Sequence, residues 1–354
     1  MASSVRIRDY GVEIGKLRTG VTNSISDVEG VTVGQVTLSD GDKQTGVTAI
    51  LPHQGNLFRE KLIASSHVIN GFGKTMGLMQ INELGTLESP IVLTNTFGIG
   101  TAADALIQYM LNRNPEIGRT TGTFNPVVCE CNDMFLNDIR AGFVTVEDVH
   151  HALETTGKTV EEGTVGAGTG MLCYSLKGGI GTASRLMEFE HGTYTMGVLV
   201  LTNFGILSDL TVNGKHVGED LKKAILQKHE EQDKGSIIVI AATDLPLSER
   251  QLNRIIKRSV TGLSRTGSTI TTGSGEVVIG FSTATKIPHE RTSQCLTLPM
   301  IHEEDIDLAF RAIGEATEEA VLNSLITATS VVGRDGNERP ALKDLIGEFG
   351  IKLT

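Results

Sequence analysis

The chain has 354 residues, 41 of them Gly and none Trp, with 39% hydrophobic and 4% aromatic residues and a formal charge of −11 from 31 Lys and Arg against 42 Asp and Glu. That length buries a sizeable core, as one large domain or two of ordinary size, and so much glycine means a backbone often asked for unusual angles or close approach. An acidic chain without a basic block is a poor partner for nucleic acid or anionic lipid; no segment approaches the roughly eighteen apolar residues of a membrane span, and the opening MASSVRIRDYGVEIGK has no signal-like apolar stretch, so a cytoplasmic protein is expected.

In chain order, GVTVGQVTL (30–38) and TGVTAILP (45–52) read as neighbouring strands around the turn composition SDGDKQ. PIVLTNTF (90–97) reads as a buried strand and GTAADALIQYMLNR (100–113) as a helix. Between them, GIGTAA spaces Gly98, Gly100 and Ala103 as a dinucleotide fingerprint does. The acidic residue expected about twenty residues later is missing from GRTTGTFNP, so a helix N-terminus packed tightly on a strand is the simpler reading. TVEDVHHALE (145–154) is a second helix, with Thr145 as N-cap and Asp148 three residues on. TYTMGVLVLTNFG (193–205) is another buried strand, and its LTNFGI echoes the earlier LTNTFGI, as if two sheets were built alike with Asn95 and Asn203 at strand ends. KHEEQDKGSIIVIAATDLP (228–246) is charged and soft up to Lys234, then becomes the strand SIIVIAAT at Ser236. LSERQLNRIIKRSVTGLSR (247–265) reads as one helix capped by Ser248, GEVVIGFSTA (275–284) as a strand, and DIDLAFRAIGEATEEAVLNSLITA (305–328) as a long amphipathic helix. The pattern is α/β, with mixed or antiparallel sheets covered by helices.

Little of the chemistry is announced by a motif. The four Cys are too few and scattered for a disulfide framework, and Cys129 and Cys131 have no second pair at zinc-ligand spacing. Adjacent His150 and His151 lie in the TVEDVHHALE helix and read as surface or satisfied histidines. The glycine-dense EEGTVGAGTGMLCYSLKGGIGTASR (161–185) lacks the phosphate-loop Lys but offers unshielded backbone N–H groups suited to a tight loop beside a reacting carbonyl. In TGSTITTGSGE (266–276), Ser274 and Glu276 stand two apart and share one face in extended chain; in isolation the stretch reads first as a surface turn, and the pair could also hold a cation or relay a proton. No Gly-x-Ser-x-Gly elbow is present, so a serine enzyme here must activate its hydroxyl another way.

The Gly235–Ser236 border offers such a way. A Ser made N-terminal by cleavage carries its own base, an α-amine with a pKa of about 7.7–8.0. Its hydroxyl attacks the preceding carbonyl, and a residue without Cβ at that position tolerates the backbone the attack demands. The preceding LKKAILQKHEEQDKG (221–235) is charged enough to stay solvated and swing away once cut. By itself the border reads first as the end of a loop and the start of a strand.

Several motifs in one order decide between these readings. TGVTAILP, SPIVLTNTFGIG, FNPVVCECNDMFLNDI, VGAGTGM, KGGIGTASR, GSIIVIAATDLPL and GLSRTGSTITTGSGEVVIGFSTA resemble the L-aminopeptidase/D-esterase (DmpA) and β-peptidyl aminopeptidase (BapA) family of self-processing N-terminal-serine hydrolases, over nearly the whole chain. The resemblance implies a single catalytic domain (1–354) with a four-layer αββα sandwich, cut between Gly235 and Ser236 into an α chain (1–235) and a β chain (236–354). It implies Ser236 as nucleophile, Asn203 as oxyanion stabiliser, and Ser274 and Glu276 beside the nucleophile and its amine. Glu130 would receive the free amino group of the substrate, with Asn132 and Phe135 as further substrate contacts. Short peptides, aminoacyl amides or esters are the implied substrates and a homotetramer of αβ units the implied assembly, without cofactor or metal. Met134, Asn132 and Lys74 depart from the family pattern around this pocket. An acyltransferase of the ornithine acetyltransferase type and an unprocessed binding protein with the same fold are the alternatives.

Overall fold

The computed structural model describes residues 5–225 and 235–354. Strands β1 (Thr32–Asp40) and β2 (Lys43–Leu51) form a hairpin, and β3 (Glu60–Gly71), β4 (Thr86–Leu87), β5 (Ile91–Asn95) and β6 (Val127–Cys131) follow. The short β7 (Leu172–Cys173) and β8 (Leu176–Lys177) precede the long β9 (Ile180–Phe189), β10 (Gly192–Asn203), β11 (Ser236–Thr243) and β12 (Gly275–Pro288). Helices are α1 (Leu78–Leu84), α2 (Ile99–Arg113), α3 (Val146–Glu154), α4 (Val217–Ala224), α5 (Glu249–Ile256), α6 (Ser259–Arg265) and α7 (Asp307–Ile326). The expected turn between β1 and β2 contracts to Gly41 and Asp42, because the ladder continues to the Asp40–Lys43 pair.

Among the described residues two large sheets form, one ordered β1-β2-β5-β6 and one ordered β4-β3-β12-β11-β10-β9, beside two-stranded hairpins such as β7-β8. Alternation along the strands assigns their faces. In β11, Ile238, Ile240 and Ala242 enter a core shared with Leu93, Cys129 and Cys131 of the smaller sheet. Ile237, Val239 and Ala241 enter a second core with Ile313, Ala316 and Ala320 of α7. A third core sets Val47, Ala49 and Val92 against Ala102, Leu106 and Val149 of α2 and α3. Three interlayer cores make four layers, α2/α3, sheet, sheet and α5/α6/α7, the αββα sandwich that the resemblance implied.

The capping boxes of Thr145 with Asp148 and of Ser248 with Gln251 both form. Two helix expectations are corrected. The segment 247–265 is two helices, because the Ser259 hydroxyl takes the Ile256 carbonyl at 2.8 Å and Arg258 N–H turns back to Ile255 at 2.9 Å. The helix over 305–328 is not amphipathic: from Ala312 to Ile326 every residue of α7 is buried. Its polar face is covered by cations distant in sequence, with Glu319 bonded to Arg185 at 2.6 Å and Arg8 at 2.7 Å, and Glu318 to Arg265 at 3.4 Å.

Both sheets contain one parallel pair bridged by helices, β5-α2-β6 and β11-α5-α6-β12. Asn95 and Asn203 end β5 and β10, as the repeated LTN motif suggested. The C-terminal ends of β3 and β10 are paired with the first residues of β11 and β12.

Candidate active site

Ser236 heads β11 between two neighbours, paired with Asn203 on β10 and with Gly275 on β12. It shares strand parity with Ile238 and Ile240, so its side chain faces the space between the sheets. Gly235 answers why a glycine precedes it: a Cβ there would lie 1.7 Å from the Asn203 carbonyl oxygen. The Gly235 carbonyl, in turn, accepts the Gly275 N–H at 3.2 Å. Gly275 is also tight, since a Cβ would meet the Phe72 carbonyl oxygen at 2.5 Å and Ser236 Oγ at 3.1 Å.

The Asn203 amide is fixed at both ends. Its Oδ1 accepts the Leu172 N–H at 2.9 Å, and its Nδ2 donates to the Asn132 carbonyl at 3.0 Å. A backbone N–H can only donate and a carbonyl only accept, so the amide orientation is determined, and Nδ2 has a second hydrogen to offer a ligand. Leu172 is held by a hairpin whose turn places Tyr174 and Ser175 at φ 50° and 59°. Left-handed backbone at two adjacent non-Gly residues is costly and persists only when its surroundings enforce it. Lys177 ties the flanks of this hairpin together: its fully buried ammonium donates to the carbonyls of Gly168, Met171 and Gly178 at 2.9, 2.8 and 2.7 Å. Burial pushes the Lys177 pKa down to about 7, and Asp133 acts against that shift.

At the start of β12, beside Ser236, the Ser274 hydroxyl donates to the Glu276 carboxylate, and both side chains are buried. The pair is therefore not a surface turn. Asn70 positions the loop before them by donating to the carbonyls of Thr271, at 3.0 Å, and of Ser274. A bulge in β3 allows this, because Asn70 pairs with Glu276 and Val68 with Val277, leaving Ile69 over.

Glu130 is buried at 3% exposure, yet among the described residues its carboxylate has two donors, the Lys74 N–H at 2.8 Å and the Thr96 hydroxyl. A carboxylate has about four acceptor positions, which leaves capacity for an ammonium group. Burial pushes the Cys131 thiol well above its ordinary pKa, with Glu130 the next cause and Glu276 a smaller one, so both carboxylates act electrostatically on one thiol.

The remaining expected contacts fall differently. The Asn132 side chain is exposed and caps its own turn by accepting the Met134 N–H at 3.0 Å, so its backbone carbonyl, not its amide, meets Asn203. The Phe135 ring is stacked 3.8 Å from the Arg339 guanidinium, and its carbonyl accepts from Asn337 at 2.9 Å. Phe135 is thereby engaged with the C-terminal segment and makes no described contact with the Ser236 cluster. Most of the linker 221–235 expected to swing away, residues 226–234, lies outside the described residues. Among the residues that sequence reasoning missed are Thr96, Asn70, Lys177 and the N–H groups of Leu172 and Gly275.

Asp133, next to the turn that receives Asn203, supplies a pH test. Burial raises its pKa to about 7 against hydrogen bonds from Thr45, Asn137 and Asn95. A carboxyl raised in the folded state adds stability that is full below its unfolded pKa of about 3.9 and lost as pH rises through about 7. Asp133→Asn should therefore gain on the wild type between pH 5 and pH 8, by up to about 3 kcal/mol, read from urea midpoints across that range. Parallel pH profiles for the two proteins would refute it.

Comparison with known proteins places this geometry. The model of Peptidase family S58 matches residues 23–339. The β-peptidyl aminopeptidase BapA of Sphingosinicella microcystinivorans is 35% identical, over 95% of this chain and 89% of that protein. A crystal structure of a Pyrococcus horikoshii OT3 protein superposes with a TM-score of 0.92 at 46% identity, covering 98% of this chain and 99% of the other. The L-aminopeptidase D-Ala-esterase/amidase of Ochrobactrum anthropi, described as a prototype of the serine aminopeptidases and a variant of the Ntn-hydrolase fold, superposes with a TM-score of 0.89 at 36% identity, over 99% of both chains. These matches favour neither the acyltransferase nor the non-catalytic alternative. The chain belongs to Peptidase family S58 and is a serine aminopeptidase.

Proposed function

We propose that the chain cuts itself between Gly235 and Ser236, and that the liberated Ser236 then removes N-terminal residues from short peptides, aminoacyl amides or esters, β-amino-acid derivatives included. The carrying observation is the pairing of Ser236 between Asn203 and Gly275. In the uncut chain, Ser236 Oγ attacks the Gly235 carbonyl carbon while the Gly275 N–H, already on that oxygen, stabilises the charge that develops there. The peptide nitrogen leaves as the Ser236 amine, and water opens the ester. Gly235→Ala is expected to slow this cut at least about tenfold, because its Cβ displaces the scissile carbonyl from that donor. The uncut fraction on a denaturing gel reads it, and cleavage at the wild-type rate would refute it.

In the mature enzyme, the substrate ammonium docks on the remaining acceptor positions of Glu130. Ser236 Oγ bonds the substrate carbonyl carbon and passes its proton to its own α-amine, which Glu276 and Ser274 orient. Asn203 Nδ2 stabilises the oxyanion. The α-amine protonates the leaving amine, and water then releases the acyl group from Ser236 by the reverse sequence. Turnover of L-alanine p-nitroanilide and β-alanine p-nitroanilide by purified protein, with release of p-nitroaniline, tests the activity. No release from either would refute the substrate classes.

The αβ units are further proposed to assemble as a cytoplasmic homotetramer. Leu296, Leu298 and Met300 expose large apolar side chains on one extended segment, which suits a subunit contact. No helix among the described residues is long and apolar enough to cross a membrane. Sedimentation of the purified protein checks the assembly.

A further inference from the structure

The loop between β3 and α1 holds a cation without a task in the mechanism above. Lys74 serves Glu130 through its backbone N–H, at 2.8 Å, so its side chain is not needed for that bond. Its ammonium lies 4.8 Å from the centre of the Phe72 ring, and among the described residues it has no carboxylate partner. Phe72 connects this cation to the nucleophile, since its carbonyl abuts Gly275 beside Ser236. Large apolar side chains are exposed on the same rim: Phe72 is 62% exposed, Phe97 next to the Glu130 ligand Thr96 is 65% exposed, and Met134 is 54% exposed.

A substrate bound here meets three features in order. Its ammonium meets a buried carboxylate, its stem meets apolar side chains, and beside the ammonium it meets an unpaired cation. A neutral N-terminal residue leaves that cation in water without loss, and a basic one is repelled by it. A residue with a carboxylate next to its free amine adds a charge-assisted bond.

We infer that Lys74 determines specificity, and directs the site to N-terminal residues bearing a carboxylate beside the free amine. The β-linked aspartyl residue is the fitting class. Its amine and α-carboxylate share one carbon, matching a carboxylate and a cation supplied around one residue of the loop, and its β-carbonyl lies one methylene away for Ser236. Ser236 Oγ bonds that β-carbonyl carbon, the amide nitrogen departs with the proton relayed by the α-amine, and water frees aspartate and the serine hydroxyl. This inference rests on the aminopeptidase reading of the site.

The test is a matched pair, aspartic acid β-(p-nitroanilide) and β-alanine p-nitroanilide, which differ only by the carboxylate. Comparison of kcat/KM in cleaved wild type, Lys74→Met and Lys74→Glu should show the aspartyl compound preferred about tenfold by wild type, no preference in K74M and a reversed preference in K74E. A second pair, β-alanylglycine and β-alanylglycinamide, places a carboxylate on the leaving side, and its ratio should be the same in all three proteins. Wild-type preference for the β-alanyl anilide, an anilide ratio equal in all three proteins, or a Lys74 effect confined to the second pair would each overturn the inference and leave the aminopeptidase reading standing. No turnover of any of the four compounds by protein whose β chain starts at Ser236 would overturn that reading and this inference with it.

Discussion

Ser236→Ala should yield one uncut chain of 354 residues and no measurable hydrolysis, a loss of at least about 10³-fold. Under the proposed mechanism both losses have one cause, since the same oxygen attacks the Gly235 carbonyl in the precursor and the substrate carbonyl in the mature enzyme. The fold should survive, because Ser236 is buried at a strand pairing that Ala also adopts, and the alternating apolar residues of β11 are untouched. A cooperative thermal transition near that of the wild type, together with an intact mass of one chain, separates loss of chemistry from loss of structure. Cleavage of the alanine variant at the same bond would show that another group makes the cut.

Asn203→Asp should leave substrate binding nearly intact and lower kcat by about 10²–10³-fold. The substitution keeps the oxygen that accepts the Leu172 N–H and replaces the Nδ2 donor with a second oxygen. That oxygen faces the Asn132 carbonyl, where Nδ2 now donates, and the developing oxyanion, so a donor becomes a repulsive charge. Asn203→Ala is the less clean variant, because it also strips Leu172 of its acceptor and loosens the hairpin clamped by Lys177. A kcat for Asn203→Asp within tenfold of wild type, with KM raised instead, would assign Asn203 to binding and the oxyanion to another donor.

What the sequence disclosed follows from the range of the interactions involved. Strand β11 begins at Ser236 as read, because a charged segment turns into a β-branched run at one residue. The Thr145 and Ser248 caps were legible because a capping box is complete within four residues. Ser274 and Glu276 were legible as a pair for the same reason, two residues on one extended face. The burial of α7 was not, since Glu315, Glu318 and Glu319 look like a solvated face until Arg8, Arg185 and Arg265 arrive from elsewhere in the chain. Lys177 sat unremarked in a glycine-rich stretch because its partners are carbonyls, which every residue carries and no composition reveals. The Gly275 and Leu172 N–H groups were hidden likewise. Asn132 shows the converse, a side chain assigned from a motif while its backbone oxygen makes the contact.

The most direct measurement is the intact mass of the purified protein under denaturing conditions, with N-terminal sequencing of each species. The account predicts an α chain ending at Gly235 and a β chain of 119 residues beginning Ser-Ile-Ile-Val. A single chain of 37.8 kDa from protein that hydrolyses aminoacyl anilides, or a β chain beginning at any other residue, would contradict it.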